Sequence, residues 1–99
     1  MRYYSIASMK IEDLDKFKSE LETVQDMLKT AGFKATYVNR DADDPNHLIV
    51  MHECEDLQKA REFYQSQEFK DCALKAGIIG QPNVMFVEEI MRTPELVTT

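Results

Sequence analysis

The apolar positions of this chain change period several times, and each change marks an element. From Asp13 onward, Leu14, Phe17, Leu21, Val24 and Leu28 recur at intervals of three and four residues, drawing one stripe down a helix. Asp13 can cap the start of that helix and Gly32 can close its end. Lys16 with Glu20 and Lys18 with Glu22 stand one turn apart and read as a solvated surface. The stripe lasts only about two heptads before the glycine, too short for a coiled coil, so packing on a sheet explains it better. A second stripe, Leu57, Ala60, Phe63 and Tyr64, resumes as Phe69, Cys72, Ala73 and Ala76 after a break near Ser66-Gln67, and Gly77 ends it.

Between the stripes the pattern is that of strands. Residues 2–11 (RYYSIASMKI) mix aromatic, β-branched and small residues with partial alternation, and FKATYVNR (33–40) alternates more cleanly. HLIVMHEC (47–54) follows, with DADDPN between the two supplying the turn residues of a β-hairpin. NVMFVEEI (83–90) is the last strand. The order is β-α-β-β-α-β, an α+β ferredoxin-like arrangement with a four-stranded antiparallel sheet and both helices on one face. Residues 1–92 read as one domain and 93–99 as a C-terminal tail.

Two strands break the alternation that a sheet with one wet face demands. Leu48-Ile49-Val50-Met51 and Val84-Met85-Phe86-Val87 are unbroken apolar runs, so each sends large side chains to both faces. An identical sheet related by a two-fold axis is the simplest cover for the patch that results. A homodimer is therefore expected, with Ile49, Met51, Met85 and Val87 in its interface.

A hairpin closing symmetrically around DADDPN sets Arg40 opposite His47 and Tyr37 opposite Val50. Phe33, Ala35, Tyr37 and Asn39 then share the helix side with Leu48, Val50 and His52. On that register Tyr37, Asn39 and His52 point beneath the helices, where Phe63 and Tyr64 line the gap. Tyr4, rather than Tyr3, is assigned to the same pocket. His52 could serve there as general base and Tyr37 as donor to a developing enolate or phenolate. The alternative is a core histidine satisfied by a nearby hydroxyl or backbone group. Glu53 should be a rim charge and His47 should face solvent. Asp41, Asp43 and Asp44 lack the spacing of a calcium loop and read as turn chemistry, so no metal is expected.

Composition narrows the function classes. A net charge of −6 repels phosphate backbones and anionic lipid, so neither nucleic acid nor a membrane surface is an expected partner. No apolar run suits a signal peptide or a membrane span, which points to a cytoplasmic protein. Cys54 and Cys72 are too few and too isolated for a disulfide framework or a zinc site.

The stretches NRDADDPNHLIV, EDLQKAREFYQSQEFKDCALKAGI and GQPNVMFVEEI resemble the dimeric α+β barrel superfamily. That group includes antibiotic-biosynthesis-monooxygenase-like proteins and small stress-responsive and cyclase-like barrels, and the resemblance spans nearly the whole chain. It implies a homodimer with facing sheets and a pocket for a small organic molecule between sheet and helices in each subunit. Its characterised members include cofactor-free oxygenases, haem degraders, isomerases and polyketide cyclases. This chain has no tryptophan and neither of its histidines falls on a helical stripe, so it departs from the Trp-containing oxygenase and haem-degrader patterns. The expected function is that of a small-molecule-binding dimeric barrel. A finer expectation is a cofactor-independent acid/base enzyme acting on an aromatic or polyketide-like compound. A non-catalytic dimeric module is the alternative.

Overall fold

The structure, a computed structural model, describes residues 2–93. Eight elements follow in order: β1 (Tyr3–Ile11), α1 (Leu14–Thr23), α2 (Gln25–Thr30), β2 (Phe33–Asp41), β3 (Asp44–Cys54), α3 (Leu57–Tyr64), α4 (Gln67–Lys75) and β4 (Ile78–Glu88). The strands form one antiparallel sheet in the order β2-β3-β1-β4. This is the ferredoxin-like α+β fold that the strand and helix periods predict, with each predicted helix broken into two. All of the tail beyond Thr93 lies outside the described residues.

Local signals account for the helix ends. Asp13 Oδ1 accepts the Asp15 N–H at 3.1 Å, and Asp56 Oδ1 accepts that of Lys59 at 3.2 Å. Ser66 makes the α3–α4 break: its Oγ accepts the Phe69 N–H at 3.2 Å and donates to the Phe63 carbonyl at 2.6 Å. Gly32 and Gly77 follow α2 and α4 with φ of 88° and 76°, the left-handed conformation that closes a helix without a Cβ clash. The break at Val24 carries no side-chain cap, which is why the sequence pattern runs straight through it.

Alternation along β1 and β3 sorts the sheet into two faces. Ser5, Ala7, Met9 and Ile11 on β1 and Leu48, Val50, His52 and Cys54 on β3 are all buried beneath the helices. They meet Phe17 and Ala76 at one end of the core, and Leu28, Phe33, Ala60 and Phe63 at the other.

The hairpin does not close symmetrically. Asp41 pairs with Asp44, and the ladder resumes only at Arg40↔Leu48, leaving Pro45, Asn46 and His47 as extra residues on β3. Pro45 has no N–H to give the ladder. Asn46 is turned away, its N–H bonded to Asp44 Oδ1 at 3.0 Å and its amide donating to the Ile11 carbonyl at 3.0 Å. Tyr37 consequently faces Met51, and Asn39 faces Ile49. A shift of one residue sends every side chain of that stretch to the other face. A second irregularity between Phe33 and Ala35 returns Phe33 to the core.

Candidate functional site

Where the helices bridge the sheet they leave a cavity of about 50 Å³. Its floor is Ala7, Met9, Val50 and His52, and its roof includes Phe17, Leu21, Val24, Phe63, Tyr64 and Phe69. Phe33, Phe63, Tyr64, Phe69 and Phe86 pack edge to face around one end, with ring centroids 5.0–6.0 Å apart.

Of the residues expected in the pocket, His52, Phe63 and Tyr64 line this cavity. His52 is stacked on Phe33, ring centroids 4.5 Å apart, and its Nδ1 shares a 2.8 Å hydrogen bond with Thr36 Oγ1. Burial holds its pKa down at about 4, so the ring is uncharged near neutral pH. Tyr64 shares a 2.9 Å hydrogen bond with Ser5 Oγ, and burial pushes its phenol up to about 12.

Three others need correction. The register shift places Tyr37 and Asn39 on the outer face, where Tyr37 is 47% exposed and the Asn39 amide donates to the Ile49 carbonyl at 3.3 Å. Tyr37 is therefore not positioned to assist His52. Tyr4 is also on the outer face, opposite Glu53 and Val87. It is buried because the chain beyond β4 folds across it: its hydroxyl accepts from Arg92 Nη2 at 3.0 Å and donates to Glu89 Oε1 at 3.4 Å. That same face carries Ile6, Ile49, Met51, Met85 and Val87 in adjoining rows.

Two further side chains that can carry chemistry line the cavity: Glu20, which the sequence pattern assigns to the solvated surface, and Cys72, which it places on the apolar stripe without a role. Glu20 Oε2 is buried with no hydrogen-bond partner, the one such side-chain atom among the described residues. The signal was present: Glu20 lies three residues after Phe17 and four before Val24, inside the apolar stripe. Pairing it with Lys16 hid that position, and Lys16 in fact bonds Glu12 at 3.2 Å. Burial, and then the neighbouring Glu20 charge, push the Cys72 thiol up to about 11, which leaves it protonated and unreactive.

Solved structures share this architecture across almost their whole length. An antibiotic-biosynthesis-monooxygenase candidate from Bordetella bronchiseptica aligns with a TM-score of 0.77 at 16% identity, covering 91% of this chain and 98% of its own. SnoaB from Streptomyces nogalater, a cofactor-independent oxygenase, aligns with a TM-score of 0.74 at 13% identity, covering 95% and 98%. The chain has the antibiotic-biosynthesis-monooxygenase-like fold. A conserved protein from Methanosarcina mazei Go1 shares it too, with a TM-score of 0.67, 15% identity, and 90% and 93% coverage. No family model matches the sequence, and no curated protein is significantly similar to it. No cluster of metal-ligating side chains occurs among the described residues, and no helix there is long and apolar enough to cross a membrane.

Proposed function

We propose that this protein binds a small, mostly apolar organic molecule in the gap between sheet and helices, as a homodimer. The observation that carries the reading is the cavity itself: an aromatic and aliphatic lining that also contains an unpartnered Glu20 oxygen and an uncharged His52. A buried acceptor without a donor is costly, and a ligand N–H or O–H relieves that cost. At about 50 Å³ the cavity is far below the ~300 Å³ or more of a typical ligand site. Binding of an aromatic compound therefore requires the helices to move away from the sheet, and the uncapped break at Val24, itself in the cavity wall, is where α1 and α2 give most easily.

The finer reading, cofactor-independent acid/base chemistry on an aromatic or polyketide-like compound, draws support from the shared fold with SnoaB. In it Glu20 takes the proton-accepting role expected of His52, because a histidine held at about 4 is a weak base near neutral pH. Mass spectrometry of the natively purified protein, followed by titration of phenolic compounds monitored by NMR, tests the proposal. Shifts confined to the amides around Leu21, Val24, His52 and Phe69 are expected. Shifts elsewhere only, or none at millimolar phenol, overturn it.

The homodimer rests on the outer face, where Ile6, Ile49, Met51, Met85 and Val87 form one apolar surface and Met85 is 60% exposed.

A further inference from the structure

At the hairpin end of the outer face, three side chains from three adjacent strands form a chain of hydrogen bonds. Ser8 Oγ on β1 lies 2.6 Å from His47 Nε2 on β3, and His47 Nδ1 lies 3.0 Å from Asp41 Oδ2 on β2. The cavity described above uses none of the three. Asp41 is itself anchored, since its other carboxylate oxygen accepts the Asp43 N–H at 2.9 Å, and that bond and the one to His47 hold its pKa down. An ionised carboxylate on Nδ1 selects the tautomer with the proton there. Nε2 is then a lone-pair acceptor, and the group facing it is the Ser8 hydroxyl.

We propose that Ser8, His47 and Asp41 form an acyl-transfer site in which Ser8 is the nucleophile, His47 the general base and Asp41 the positioning residue. The roles follow from geometry, since nucleophile, base and orienting carboxylate are joined in that order at hydrogen-bond distance. Ser8 Oγ attacks the carbonyl carbon of an ester as its proton passes to His47 Nε2. The ester C–O bond breaks, and the leaving alkoxide takes that proton. Water then attacks the acyl-serine, giving a proton to His47 and releasing the carboxylic acid, which restores Ser8 as His47 returns the proton. Asn83 on β4 pairs with Ser8 across the strands and so shares its face, which makes its amide the nearest candidate donor on β4 for the developing oxyanion. Ile49, the partner of Ser8 on β3, and the exposed Ile79 give the neighbourhood an apolar character. The substrate class is a neutral ester with a small apolar acyl group. The site borders the apolar face, so a second copy on that face would wall it on one side.

A fluorophosphonate reports on such a serine directly, because attack by Ser8 forms the O–P bond and expels fluoride. Intact-mass and peptide mapping of the full chain should place one adduct on Ser8, absent from Ser8→Ala. His47→Gln should slow labelling by about 100-fold or more, the usual worth of a positioned general base. Asp41→Asn, which keeps the size of the side chain but not its charge, should slow it with little change in thermal midpoint. Hydrolysis of p-nitrophenyl acetate should fall in parallel across the three variants. A folded wild-type protein with no adduct on Ser8, or equal labelling rates in wild type and both other variants, overturns the proposal.

Discussion

His52 shows how a residue legible in the sequence can take a different role in the fold. Its position beneath the helices follows from alternation along β3, but its chemistry follows from what closes over it. Phe33 stacks on one side, Thr36 takes Nδ1, and burial lowers the pKa from 6.5 to about 4. With the folded value depressed, the unfolded chain takes up a proton first as pH falls. Stability is therefore complete above about pH 6.5 and is lost progressively down to about pH 4, by about 3 kcal/mol in all. Urea titrations at pH 7 and pH 4 check this in wild type and His52→Phe. The wild type should lose about that much more stability than the variant, and equal losses would refute the burial assignment. Glu20 was hidden for the opposite reason. Its residue type and its spacing from Lys16 suggest a surface pair, and only the packed helix reveals that one oxygen faces inward.

Elements were legible wherever a side chain marks their ends. Asp13, Asp56 and Ser66 cap helices through their own oxygens, and Gly32 and Gly77 close them. Ser66 links two elements at once, donating to the last turn of α3 and capping α4. Ser66→Ala should destabilise the protein by about 1 kcal/mol, the usual cost of an N-cap, measured by denaturant unfolding. Since Phe69 stands in the first turn of α4 and packs against Phe63 and Tyr64, a loss nearer zero would mean that aromatic packing, not the cap, sets the break. The hairpin was the least legible element. Its turn composition is plain, but register depends on which residues bulge, and Pro45 with Asn46 moves three residues out of the ladder. That one-residue shift moves Tyr37 and Asn39 from pocket to outer face.

At the scale of the whole molecule the question is what covers the outer face. β1, β3 and β4 bring Ile6, Met51 and Met85 into one row, flanked by Ile49 and Val87. Light scattering should give twice the chain mass of 11.5 kDa at micromolar concentration. Met85→Glu should return the mass to that of one chain without lowering helix content, because Met85 is 60% exposed in the single chain. A wild-type mass of 11.5 kDa would refute the homodimer.

Period and punctuation in the sequence by themselves determined the element order, the ferredoxin-like class and the two apolar strands that leave a face to be covered. These are local properties: a side chain's spacing from its neighbours fixes the element it belongs to and the face it shares. Tertiary structure alone decided which residues meet. Ser8, His47 and Asp41 come from three strands, and their contact depends on the same β3 bulge that displaced Tyr37. Glu20 became a cavity residue because α1 packs over the sheet with one of its carboxylate oxygens buried. Register and helix orientation are set by the sum of many weak packing contacts, and no short stretch of sequence carries that sum.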